Sequence, residues 1–156
     1  MEPSSYVERY LYSLHGISEE IASLYMNRWR EITEKPMSRF EKMISDFLVK
    51  QNVDFIFQFP VFDVDGSFFF VDFYLTDYNL VIDIPLSKNS PYYNKRRWEE
   101  RVNTLSNRGP YYFVPLFQLM EGKFTKGLSE KIKACKYMSK SEIDFYRKNN
   151  KRKKKK

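Results

Sequence analysis

Apolar residues recur at helical spacing at Ile17, Ile21, Leu24, Tyr25, Trp29 and Ile32, which predicts an amphipathic helix over residues 17–34. Ser18 stands as its N-cap, with Glu19 and Glu20 in the first turn, where the helix dipole favours acids. Glu34-Lys35-Pro36 ends it, since the residue before a proline is pushed out of the helical region. A second helix is expected from Ser38, with Phe40, Met43, Ile44, Phe47 and Leu48 on one face and Ser38-x-x-Glu41 as a capping box.

The period then changes from helical to two. Phe55, Phe57, Phe59 and Val61 alternate within Val53–Phe62, the first predicted strand, and Pro60 there argues for an edge position or a bulge. Asp65-Gly66 marks a hairpin turn over 63–67. Asp63-x-Asp65-Gly66 also resembles the start of a calcium loop but lacks its later acids, so a turn is the reading adopted. Strands follow over Phe68–Leu75 and Asn79–Leu86. A helix is expected after Ser90-Pro91, with Trp98, Val102 and Leu105 inward and Gly109 closing it. A fourth strand is expected over Tyr111–Leu119, then helical, polar sequence over 125–137 and 141–148. The order is α-α-β-β-β-α-β-α, an α/β fold.

The 156 residues are expected to form one domain over 1–146, followed by a disordered tail at 147–156. That tail holds eight cations and no acid; taking them from the net charge of +7 leaves −1, so the basicity belongs to the tail. Lys151, Arg152 and their neighbours there are expected to add salt-dependent attraction to nucleic acid; a solubility or localisation role is the alternative. No run is long and apolar enough to span a bilayer and no leader pattern is visible, so no membrane partner is expected. Cys135 stands alone and points to a reducing, cytoplasmic setting. The lone His15 argues against histidine-rich zinc sites and a histidine triad.

Two acids interrupt the aromatic strands, Asp72 in Val71-Asp72-Phe73-Tyr74 and Asp83 in Leu80-Val81-Ile82-Asp83. A carboxylate buried there without a partner costs several kcal/mol, so each is either paired with a cation or opened to a site. They lie eleven positions apart across the Thr76-Asp77-Tyr78 turn, so antiparallel pairing sets them roughly opposite each other. The cluster Tyr92, Tyr93, Lys95, Arg96, Arg97, Trp98 and Arg101 interleaves rings with cations, which suits phosphate contact and base stacking.

These runs resemble the PD-(D/E)XK, or restriction-endonuclease-like, superfamily, nearest to its very-short-patch-repair branch. The likeness covers residues 38–119 and includes Arg101, Leu105 and Gly109 at four-residue steps. It implies an αβββαβ core, a mixed sheet flanked by helices, here with extra N- and C-terminal helices. It also implies Mg²⁺-dependent (or Mn²⁺-dependent) hydrolysis of DNA phosphodiesters and, by family habit, a homodimer. Asp72 and Asp83 would bind the metal, Glu41 would support metal or water, and Lys88 would be the catalytic ammonium, with Lys95 in reserve. Lys95, Arg96, Arg97, Arg101, Lys151 and Arg152 would bind nucleic acid. Pro85 stands where the superfamily has its lysine, and the histidines usual in that branch after this strand are absent.

Plainer readings stand beside these. Asp72 is a buried acid paired with an arginine, Asp83 a strand-end cap for the 87–89 turn, Glu41 a capping-box acid and Lys88 a solvated lysine. The whole chain would then be a non-catalytic nucleic-acid-binding protein on a degenerate nuclease scaffold, or a protein-interaction module.

Overall fold

The computed structural model describes residues 2–14, 16–62 and 68–137. The expected 63–67 turn, the 141–148 helix, His15, and the tail with Lys151 and Arg152 lie outside the described residues.

Helix α1 (Pro3–Tyr12) is followed by α2 (Glu19–Glu34) and α3 (Arg39–Lys50), then β1 (Ile56–Phe62), β2 (Phe68–Leu75) and β3 (Leu80–Asp83). After them come α4 (Lys95–Arg108), β4 (Tyr111–Phe113), α5 (Leu116–Glu121) and α6 (Thr125–Ala134). The fold is mixed α/β. Its sheet has the order β1-β2-β3-β4, antiparallel except for the parallel β3–β4 pair, whose strands are joined through α4. Pro60 does lie on an edge strand.

Helices cover both faces of this sheet. Val7, Leu11, Met26, Trp29 and Leu105, from α1, α2 and α4, pack with Phe59, Tyr74 and Val81. Ile44, Leu48, Leu119 and Leu128, from α3, α5 and α6, pack with Phe73, Leu75, Leu80 and Ile82. Burying a side chain of this size stabilises by about 1.5–3 kcal/mol, so the sheet is held by contacts on both sides.

Local chemistry accounts for the helix ends. The Ser38 hydroxyl accepts from Glu41 N (3.3 Å) and Glu41 Oε1 accepts from Ser38 N (2.7 Å), completing the capping box that starts α3. At its other end Asn52 adopts φ 61°, Val53 N donates to Leu48 O and Asn52 N to Val49 O, a Schellman closure.

Four expectations are corrected. Helix α1 was not expected, although Val7, Leu11 and Leu14 have helical spacing and are buried. Helix α4 starts at Lys95 rather than near Pro91, because the Asn94 side chain accepts from Arg97 N (3.1 Å) and caps it there. Strand β3 stops at Asp83 rather than Leu86, since Ile84 N turns to the Asp72 carboxylate and Pro85 has no N–H to give. The strand expected over 111–119 ends at Phe113; Pro115 caps α5 instead, and Gly122 in the left-handed region (φ 71°) closes that helix.

Candidate active site

Asp72 and Asp83 meet where β2 and β3 part. The register pairs Phe73 with Ile82, and one rung further the backbone ladder is taken over by side chains. Asp83 Oδ1 accepts from Asp72 N (3.0 Å), and Asp72 Oδ2 accepts from Ile84 N (2.8 Å). Each carboxylate thus replaces a missing carbonyl across the opening strands, and both line one cleft of about 610 Å³. The expected convergence of the two acids is present.

Their surroundings differ. Asp83, 1 % exposed, is held by Arg101 from α4, whose Nε and Nη2 reach Oδ2 at 2.7 and 2.6 Å. Arg101 Nη2 also donates to Phe70 O (2.8 Å), and the guanidinium lies over the Phe69 ring at 4.4 Å. The arginine partner considered for Asp72 therefore belongs to Asp83, and the proposed cap of the 87–89 turn is not formed; Ser87 Oγ accepts from Asn89 N there instead.

Among the described residues Asp72 has no cationic partner. Its Oδ1 accepts from Gln58 Nε2 (3.1 Å), and the same nitrogen donates to Glu41 Oε2 (3.2 Å). Burial raises the Asp72 pKa well above the ordinary carboxylate range, and the charges of Asp83 and then Glu41 add to this. Gln58 thus links the Glu41 carboxyl to Asp72, and the one guanidinium in this chain of contacts, Arg101, is bound to Asp83.

Gln58 is the residue that sequence reasoning missed. It lies in β1 at φ 58°, a left-handed conformation that costs a non-glycine residue about 1–3 kcal/mol. Its neighbours show the consequence. Phe57 and Phe59 are two apart in one strand yet pack in opposite clusters, as do their register partners Phe73 and Val71. Two residues apart in a regular strand share a face, so alternation breaks at the rung of Gln58 and Asp72. A lone amide inside Ile56-Phe57-Gln58-Phe59 was the available signal.

The other expected residues divide. Glu41 caps α3 with one oxygen, as the plainer reading has it, and accepts from Gln58 with the other. Lys88 is exposed in the loop after β3 and does not line the cleft. Lys95 and Arg96 are exposed on α4 and pair with Glu99 (4.0 Å) and Glu100 (3.2 Å). Arg101 is committed to Asp83 rather than left free for phosphate, because its alternative is an unpaired buried carboxylate. Arg97 lines the cleft and, among the described residues, has no ion-pair partner.

Among the described residues no three His, Cys, Asp or Glu side chains are grouped to hold a metal ion, and no helix is long and apolar enough to cross a membrane. Comparisons with protein-family models, curated proteins and solved structures find no match to this chain.

Proposed function

We propose that this chain is a divalent-metal-dependent deoxyribonuclease with a restriction-endonuclease-like core, formed by α3, β1–β3, α4 and β4. The observation that carries this reading is Asp72: a half-buried carboxylate, crowded by two others, opening on a cleft and without a cationic partner among the described residues. Such a group is destabilised when ionised, and a hard divalent cation would relieve it.

The donors present suit Mg²⁺ or Mn²⁺. Asp72 and Asp83 would supply carboxylate oxygens, hard donors that suit such an ion. Since no three acids converge as a cage, water would complete the shell, as Mg²⁺ prefers. The bound ion would offer Lewis acidity and lower the pKa of water near the phosphate. Arg97 would hold a phosphoryl oxygen, and its fixed charge would favour the transition state as negative charge builds there. Arg101 would orient Asp83, and Gln58 would hold Glu41 and Asp72 together. Lys88, exposed and outside the cleft lining, would take no part.

The test is plasmid cleavage with Mg²⁺ or Mn²⁺, beside direct DNA binding. Cleavage that Asp72→Ala abolishes while binding persists is the expected result. DNA binding without cleavage under any divalent ion would overturn it in favour of a non-catalytic DNA-binding protein. One observation favours that rival: both oxygens of Asp83 already have protein donors, Arg101 and Asp72 N.

A further inference from the structure

The cleft offers more ring surface than hydrolysis of a backbone phosphate needs. Beside the acids, its lining includes Phe69, Tyr92, Tyr93 and Trp98, with Arg97, which has no ion-pair partner among the described residues. Phe69 is covered by the Arg101 guanidinium, and Trp98 rests against Phe113 with centroids 4.8 Å apart. Tyr92 is 84 % exposed, although Ser90 Oγ accepts from its backbone N–H (3.2 Å) and helps fix the loop that carries it.

Charge decides what enters. The inner wall is lined by Asp72 and Asp83, and Arg101 there is committed to Asp83, so among the described residues that wall offers a bare phosphate no spare cation. A neutral ring needs none. In a duplex the ring faces are hidden by stacking, and proteins reach mainly base edges and backbone. Aromatic side chains inside a concave cleft gain from stacking only when a base is out of the helix. The volume of about 610 Å³ is in the range of pockets that enclose small ligands.

We propose that this cleft takes an unpaired nucleotide of a DNA strand, its base stacked against Tyr92 and Trp98 and its phosphate held by Arg97. Resting on the nuclease reading, this names the substrate class as single-stranded or locally unpaired DNA. Stacking and the Arg97 contact supply affinity without the metal.

Trp98 is a built-in reporter. The other tryptophan, Trp29, is buried and donates to Phe57 O (3.1 Å), away from the cleft lining. The full chain, without divalent ions so that nothing is cut, is titrated with a short oligodeoxynucleotide, the same sequence as a blunt duplex, and its RNA counterpart. The DNA single strand is expected to quench Trp98 emission and to bind at least tenfold more tightly than the duplex. Trp98→Phe, which keeps a ring against Phe113, should abolish the quench. Tyr92→Ala, at an exposed position where folding is not at stake, should weaken single-strand binding by about tenfold. Arg97→Gln should weaken it and lower the salt slope by about one.

Equal affinity for duplex and single strand, with Tyr92→Ala silent, would overturn the proposal while leaving metal-dependent cleavage of duplex DNA intact. Tighter binding of the RNA would overturn the assignment to DNA. No binding of any strand would overturn this proposal, while plasmid cleavage with Mg²⁺ or Mn²⁺ separately decides the nuclease reading.

Discussion

At Asp72 the pH dependence of folding has a definite sign. Its carboxyl titrates above the ordinary value of 3.8 because burial and the neighbouring charges of Asp83 and Glu41 disfavour the anion. The stability it contributes is therefore complete below that ordinary value and is lost as pH rises through the raised folded value. Asp72→Asn should flatten this slope, read as denaturant midpoints across a pH series; an unchanged slope would refute the account. Gln58→Glu should destabilise the metal-free protein by adding a fourth carboxylate, and Mg²⁺ or Mn²⁺ should restore its melting temperature. A variant indifferent to both ions would show that no cation enters there. The two aspartates were readable as sequence because acids in an apolar run need a reason. Gln58 was not, since its left-handed backbone and its two partners are facts of three elements meeting.

Between elements, a largely buried ion pair ties α4 to the open end of the β2–β3 pair through Arg101. Removing one partner of such a buried pair typically costs about 3–5 kcal/mol. Arg101→Ala should lose that much in chemical denaturation, and adding Asp83→Asn should recover part of it, because the uncompensated charge goes. Strict additivity of the two losses would show that the pair is not coupled. A second tie is steric. In α6, a Cβ on Gly127 would sit 2.7 Å from the Tyr112 hydroxyl oxygen but 3.8 Å from the ring carbon that bears it. Gly127→Ala should therefore destabilise by about 1–3 kcal/mol, and combining it with Tyr112→Phe should remove most of that loss, measured by thermal unfolding. Helix periods, caps and the hairpin strands were legible because they depend on neighbours within one turn or one rung. The end of β3 was not, because the Ile84 N–H is claimed by a side chain twelve residues earlier. Pro115 gave a readable reason to stop the fourth strand, and the apolar run through Leu119 masked it.

Over the whole molecule, charge is divided between a nearly neutral body and a cationic C-terminus. Deleting residues 147–156 should lower the salt slope of duplex DNA affinity by up to about seven, for eight cations at roughly 0.9 each. The Trp98 quench by single-stranded DNA should persist, and its disappearance would place that binding in the tail rather than the cleft. The sequence by itself determined the α/β alternation, the order of the sheet-forming runs, the edge role of the strand with Pro60 and the facing of Asp72 and Asp83. Those follow from periodicity, turn lengths and register, which are local. Only the tertiary structure decided which acid Arg101 neutralises, that Gln58 joins Glu41 to Asp72, and that Arg97 rather than Lys88 lines the cleft. The reason is electrostatic: a lone guanidinium can compensate one of several neighbouring carboxylates, and which one it reaches depends on how α4 crosses the sheet, a long-range packing outcome without a sequence period.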